Sequence, residues 1–149
     1  MQLNLTTDYA IRFLSCLEKP NGVVCGPIIA EKNKIPPKYL LKISAKLRKA
    51  GMIGSLAGIQ GGYYLLRPLD QITLLEVINI MELSSKWNRC LEEDSFCNNN
   101  AVMSCPIRKY YARLQEELEK KWLSKTLSEI VNLEEAEEIG NNSREKKIV

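Results

Sequence analysis

Three cysteines, Cys90, Cys97 and Cys105, lie in one polar stretch of a 149-residue chain that contains no histidine. Thiolates are soft ligands that favour zinc or iron–sulfur clusters. The spacings here, six and then seven intervening residues, are wider than the about two to four found between paired ligands in zinc knuckles and bacterial ferredoxin runs. A loop has no fixed direction, however, so three thiolates on it can still turn toward one centre. Without histidine the commonest nitrogen ligand is missing. A four-coordinate site would take its last ligand from oxygen, solvent or another cysteine. Free cysteines ordinarily prefer buried apolar positions, yet these three lie among Glu92, Glu93, Asp94 and a run of three asparagines. Of the other two cysteines, Cys25 is isolated, and Cys16 sits among Ile11, Phe13, Leu14 and Leu17 as a small buried hydrophobe. Five is an odd number, which favours metal or redox chemistry over a disulfide framework.

The elements that must position these residues follow from periodicity and punctuation. A first helix is expected from Thr7 to Glu18, capped by Thr6 or Thr7 and stopped by Pro20-Asn21-Gly22. A short second helix fits Pro27 to Lys32, and a turn follows over Asn33-Lys34-Ile35-Pro36. The third helix runs from Pro37 to Ala50 and ends at Gly51. At 100° per residue Lys38, Lys42, Lys46 and Lys49 fall in one narrow sector, and Leu40, Ile43, Leu47 and Ala50 fall opposite. Two helices joined by a short turn, the second with a cationic stripe, describe a helix-turn-helix. The glycine-rich stretch from Met52 to Leu66 reads as a two-stranded hairpin, placed where a wing belongs. Its glycines would let the backbone approach phosphates or a minor groove.

Thr73-Leu74-Leu75-Glu76 and Thr126-Leu127-Ser128-Glu129 are capping boxes that open later helices. Between them Leu91 to Cys105 is a loop. Pro106 opens a long helix whose stripe contains Ile107, Tyr110, Tyr111, Leu114, Leu118 and Trp122. An apolar stripe of this length needs a partner surface, so Tyr110, Leu114 and Leu118 mark a dimer interface. The fold class is therefore mostly α with a small β-hairpin wing: a winged helix-turn-helix plus a long dimerisation helix. The expected organisation is a DNA-binding domain over 1–83 and a cysteine-bearing loop over 84–105. The dimerisation and C-terminal helices follow over 106–133, then a polar tail over 134–149.

Charge adds a partner. Residues 32–69 hold eight basic side chains and no acid, leaving 13 basic against 18 acidic residues elsewhere. A basic block on an otherwise acidic chain is the electrostatic footprint of nucleic-acid binding. The candidate DNA-contacting residues are Lys34, Lys38, Tyr39, Lys42 and Lys46, with Ser55, Gly58, Gln60 and Gly61 of the wing. No apolar run approaches the roughly 20 residues needed to span a membrane, and the N-terminus does not read as a signal peptide. The expected location is the cytoplasm. No nucleophile elbow, P-loop or histidine base suggests an enzyme.

The order of motifs resembles a known family, the winged-helix regulators typified by the iron–sulfur cluster regulator IscR and the nitric-oxide-sensing repressor NsrR. The resemblance covers roughly residues 1–133. It rests on Leu5-Thr6-Thr7-Asp8-Tyr9-Ala10-Ile11-Arg12, Ile35-Pro36-Pro37-Lys38-Tyr39-Leu40, Lys46-Leu47-Arg48-Lys49-Ala50-Gly51 and Gly58-Ile59-Gln60-Gly61-Gly62-Tyr63, then the Thr73 helix and the three cysteines before a long helix. It implies a homodimer with crossing long helices and a cluster near each subunit interface. IscR-like members use a histidine in cluster ligation, which this chain lacks. The NsrR-like branch implies instead a 4Fe–4S site completed by an aspartate of the partner subunit, and Asp8 falls at that position. Some members carry a base-reading arginine where this chain has Ala57.

Three function classes follow. The first is a homodimeric regulator of operator DNA whose affinity is controlled by an iron–sulfur cluster, 4Fe–4S in preference to 2Fe–2S, held by Cys90, Cys97, Cys105 and Asp8. The second is a winged-helix regulator whose cysteines hold zinc or act as thiol switches without iron. The third, an electron carrier, leaves the basic block unexplained.

Overall fold

The structure, a computed structural model, describes residues 3–18 and 22–132. The expected tail over 134–149 and most of the Pro20-Asn21-Gly22 stop lie outside the described residues.

Helix α1 spans Leu5–Cys16, α2 Gly26–Asn33 and α3 Pro37–Lys49. Strands β1, Ile53–Leu56, and β2, Gly62–Leu65, form the wing. Helix α4 covers Leu74–Met81, α5 Pro106–Leu118 and α6 Leu127–Val131. Single 3₁₀ turns occupy Leu69–Gln71 and Arg89–Leu91, and a π turn over Glu119–Leu123 extends α5.

α1 starts earlier than its threonines suggest. Asn4 is the N-cap residue, and Thr7 is fully buried, its hydroxyl donating to Glu82. The expected threonine cap is thus replaced by a tertiary contact. Glu82, just past the end of α4, also accepts from the backbone N–H of Asn4 at 2.8 Å and from its side-chain amide. One carboxylate fastens the start of α1 to the end of α4. Both capping boxes form as read: Thr73 and Glu76 open α4, and Thr126 and Glu129 open α6.

The core gathers Phe13, Leu14 and Leu17 from the α1 region, Ile43 and Leu47 from α3, and Ile72 and Val77 around α4, all with almost no exposure. Ala50, expected on the packing side of α3, is instead the exposed C-cap residue. Cys16 is half-buried at the edge of this core. Leu127 of α6 is fully buried in the same cluster, so the C-terminal helix closes back on the N-terminal half. Backbone bonds from Leu74 to Lys125 (2.9 Å) and from Leu127 to Ile72 (2.8 Å) pin that return.

The hairpin is antiparallel, with Ile53 opposite Leu65 and Leu56 opposite Gly62. Val24, ahead of α2, adds a third rung by exchanging two 2.9 Å bonds with Tyr63. A side chain at Gly62 would stand 2.3 Å from the Val24 carbonyl oxygen, so that rung requires glycine. The Tyr63 ring packs edge-on against Phe13 at 5.3 Å, joining wing to core. No helix among the described residues is long and apolar enough to cross a membrane.

Candidate functional site

α3 presents its outer face beside the wing. Lys38, Leu41, Lys42, Ala45, Arg48 and Lys49 are all exposed, while Leu40, Ile43, Ser44 and Leu47 are buried. Lys38 lies over the Tyr39 ring at 5.3 Å, and Tyr39 in turn stacks edge-on against Tyr9 of α1 at 5.8 Å. Tyr39 is therefore half-buried and acts as a seat for Lys38. Lys34 is exposed in the turn between α2 and α3, in the left-handed conformation that ends α2.

Lys46 departs from the stripe. Its ammonium donates to the Met81 carbonyl at 2.9 Å, at the end of α4, where a cation complements the helix dipole and neighbours Glu82. Periodicity places Lys46 80° from Lys38, at the border of the exposed sector, and the α4 terminus lies on that border. The structure so separates this lysine from its neighbours on the helix and gives it an internal partner.

Arg48 was not singled out by residue type, yet it links helix to wing by donating from Nη1 to Ser55 Oγ at 3.0 Å. The wing turn runs Ala57 to Gly61, closed by the Gly61 N–H on the Gly58 carbonyl at 3.0 Å. Gly58 has a φ of +108°, and a side chain at Gly61 would meet the Leu56 carbonyl oxygen at 2.3 Å. Both glycines are thus fixed by geometry. Gln60 and Ile59 are exposed at the tip.

The cysteine loop is ordered by polar contacts. Arg89 pairs with Asp94 and lies over the Phe96 ring at 5.6 Å. Asn88 caps the short turn that carries Cys90. Cys105 is the N-cap of α5, its sulfur accepting from the Arg108 backbone N–H at 3.4 Å. The Arg108 side chain donates from Nε to the Cys90 carbonyl at 3.0 Å. The Cys97 thiol is held below its ordinary pKa by the backbone N–H groups of Ala101, Asn99 and Asn100, with a further contribution from the Arg108 charge. Arg108 thus contacts Cys105 and Cys90, and all three cysteines are free and half-exposed. Their donor chemistry suits a metal cluster. Their positions do not gather it: among the described residues no three ligating side chains stand together as a metal site. Asp8 lies on α1, paired with Arg12 one turn on, and its side chain is 44% exposed.

α5 turns two faces outward and inward. Ile107 and Tyr110 stand open, and Trp122 in the π turn is 65% exposed. Leu114 and Leu118 are half-buried on the same stripe. Beside that stripe Gln115 is buried and makes three bonds: it accepts from the Trp87 N–H at 2.7 Å and donates to the Ser85 carbonyl at 3.1 Å and to Glu119 at 2.7 Å. A polar residue inside an otherwise amphipathic repeat is the only trace Gln115 leaves in sequence.

A lysine-faced second helix, a glycine-shaped wing and a long helix with an open apolar stripe define a winged-helix DNA-binding regulator. Residues 3–133 match the Rrf2 family, described as "Iron-dependent Transcriptional regulator", and the chain belongs to that family. It is 28% identical over 107 residues to a putative HTH-type transcriptional regulator of Aquifex aeolicus, covering 72% of this chain and 74% of that protein. It is 28% identical over 150 residues to the HTH-type transcriptional regulator IscR of Yersinia pseudotuberculosis, covering 97% and 90%. The solved structure of CymR, the global cysteine regulator of B. subtilis, superposes with a TM-score of 0.72 over 89% of this chain and 98% of that one, at 23% identity. That likeness establishes the fold. Regulators of this family bind DNA and commonly dimerise, and they are not enzymes.

Proposed function

We propose that this chain is a homodimeric, sequence-specific regulator of operator DNA, acting in the cytoplasm, whose DNA affinity is set by an iron–sulfur cluster. Cys90, Cys97 and Cys105 hold the cluster, 4Fe–4S in preference to 2Fe–2S, and Asp8 of the partner subunit is the fourth ligand. The observation that carries the reading is a loop of three free thiols whose two ends meet the first turn of α5, where the Cys105 sulfur accepts from the Arg108 N–H and the Cys90 carbonyl accepts from the Arg108 guanidinium. The family's description as iron-dependent supports the metal. When bound, the cluster supplies a centre that redox change or a small molecule such as nitric oxide can alter. The chain's own residues do the rest. Backbone N–H groups around Cys97 favour the ligating thiolate, and Arg108 offsets the added negative charge. Closing the loop to gather the sulfurs would move Cys90 and Cys105 against α5. Lys34, Lys38, Tyr39, Lys42, Arg48, Ser55, Gly58, Gln60 and Gly61 form the DNA surface, and Tyr110, Leu114 and Leu118 the dimer contact.

The favoured thiolate at Cys97, together with the ungathered sulfurs, also supports a second reading, in which the cysteines are a zinc site or a thiol switch without iron. Anaerobic purification followed by absorption and Mössbauer spectroscopy separates the two. Iron–sulfur signals that vanish in Cys90→Ala, Cys97→Ala or Cys105→Ala but persist in Cys16→Ala and Cys25→Ala are the expected result. A metal-free or zinc-loaded protein that still binds DNA establishes the second reading. Asp8→Ala should alter the stability or spectrum of the cluster, and a silent spectrum would remove Asp8 as the ligand.

A further inference from the structure

The exposed arc of α3 has an unusual chemical gap. Its six exposed side chains after Pro37 are four cations and two aliphatics, Leu41 and Ala45. None can accept a hydrogen bond. Ser44 is buried and donates its hydroxyl to the Leu41 carbonyl, and Tyr39 is half-buried under Lys38. Major-groove recognition of adenine and cytosine uses their amino groups and so needs an acceptor from the protein. Guanine offers two acceptors to a cation, and thymine offers a methyl group to an apolar side chain. Among the fully exposed side chains of this helix only the last two modes exist.

Leu41 is 67% exposed on that arc, toward its side nearest the wing and the start of α2, with Ala45 one turn on. It is a large apolar side chain on a helix face whose other long exposed side chains, Lys38, Lys42, Arg48 and Lys49, are all cations. It also stands between two hollows of about 590 and 580 Å³, one toward the wing and one toward the start of α2. Such a ridge, with a depression on each side, matches a helix inserted between two phosphate strands. We propose that Leu41, supported by Ala45, reads thymine methyl groups in the major groove. The bases facing α3 are then thymine and guanine, with adenine and cytosine recognised only through their paired strand. This rests on the DNA-binding reading above and assigns its base-reading residue.

The test uses duplexes selected from a random-sequence pool by the full chain, purified anaerobically. The tightest duplex is remade with deoxyuridine replacing thymidine at one position at a time, which removes only the methyl group. The wild-type chain should lose about fourfold in affinity at one or two positions per half-site, the worth of one buried methyl. Leu41→Ala, checked for an unchanged melting curve, should bind the thymidine and deoxyuridine duplexes alike at those positions. Equal binding of both duplexes by the wild type, or full discrimination by Leu41→Ala, overturns the assignment while leaving DNA recognition intact. If no sequence is enriched from the pool, sequence-specific recognition fails, and the role of Leu41 fails with it.

Discussion

At the scale of single residues, four lysines that share one helical sector divide into two jobs. Among the described residues Lys42 is exposed without an ion-pair or hydrogen-bond partner, whereas the Lys46 ammonium is spent on the Met81 carbonyl. Lys42→Ala should weaken binding to all sequences alike and reduce the salt slope by about one. Lys46→Ala should leave that slope unchanged and cost about 1 kcal/mol of folding stability, for a lost charged hydrogen bond at a helix end. Salt-dependent binding curves and denaturant melts of the two variants check the pair. This division was not legible in sequence, because periodicity gives an angle but not the neighbour waiting there. The same holds for Thr7, whose type suggested a cap and whose hydroxyl serves Glu82. Burial raises the Glu82 pKa, but the Thr7 hydroxyl, the Asn4 donors and nearby Lys46 outweigh it, and the net shift is down. A carboxyl with a lowered folded pKa stabilises the fold above its unfolded value and loses that stabilisation as pH falls through the folded one. Stability should therefore drop below about pH 4.5, and Glu82→Gln should be less stable at pH 7 with a flatter acid limb. Thermal melts from pH 7 to 3 measure both; identical acid limbs would refute the clamp.

At the scale of elements, the readable parts were those with local causes. The two capping boxes, the Pro37 and Pro106 helix starts and the glycine wing depend on residues a few positions apart, and each formed as read. The unreadable parts depended on long-range packing: the return of α6 into the core through Leu127, and the inner face of α5 around Gln115. The α5 stripe itself was legible, because alternating apolar positions at helical spacing need no tertiary information. Its outer half remains open in the single chain, with Tyr110 65% exposed. Tyr110→Glu with Leu114→Glu should give monomers and lose at least tenfold in affinity for a two-fold operator, since each half-site is then bound alone. Sedimentation velocity and DNA titration report the two effects. A variant that still sediments as a dimer would show that another surface joins the subunits.

At the scale of the whole molecule, the DNA face and the cysteine loop are joined by a short chain of contacts. Lys46 ties α3 to the end of α4, Glu82 ties that end to α1, and Lys86, Trp87 and Cys90 in the following segment are held by Glu119 of the π turn and by Gln115 and Arg108 of α5. Sequence could name the two ends of this path, a basic helix and three thiols, but not the links between them, because Glu82, Lys86, Trp87, Arg108, Gln115 and Glu119 belong to no motif. Gln115 and Arg108 are contacts by which a change in this segment can reach α5, and in the proposed dimer α5 would set the separation of the two recognition helices. Effector control is a coupling free energy, so it is measured as the ratio of DNA affinities with and without the metal. For the wild type that ratio should fall in the range of about 5 to 150. Gln115→Ala leaves the three thiols in place but removes the bonds to Trp87 and Ser85. It should retain the iron signal and the dimer while the affinity ratio between the metal-loaded and chelator-treated forms drops toward one. Retention of the full wild-type ratio in Gln115→Ala would mean that the loop reaches the DNA-binding helices by another route, with Arg108 the next contact to remove.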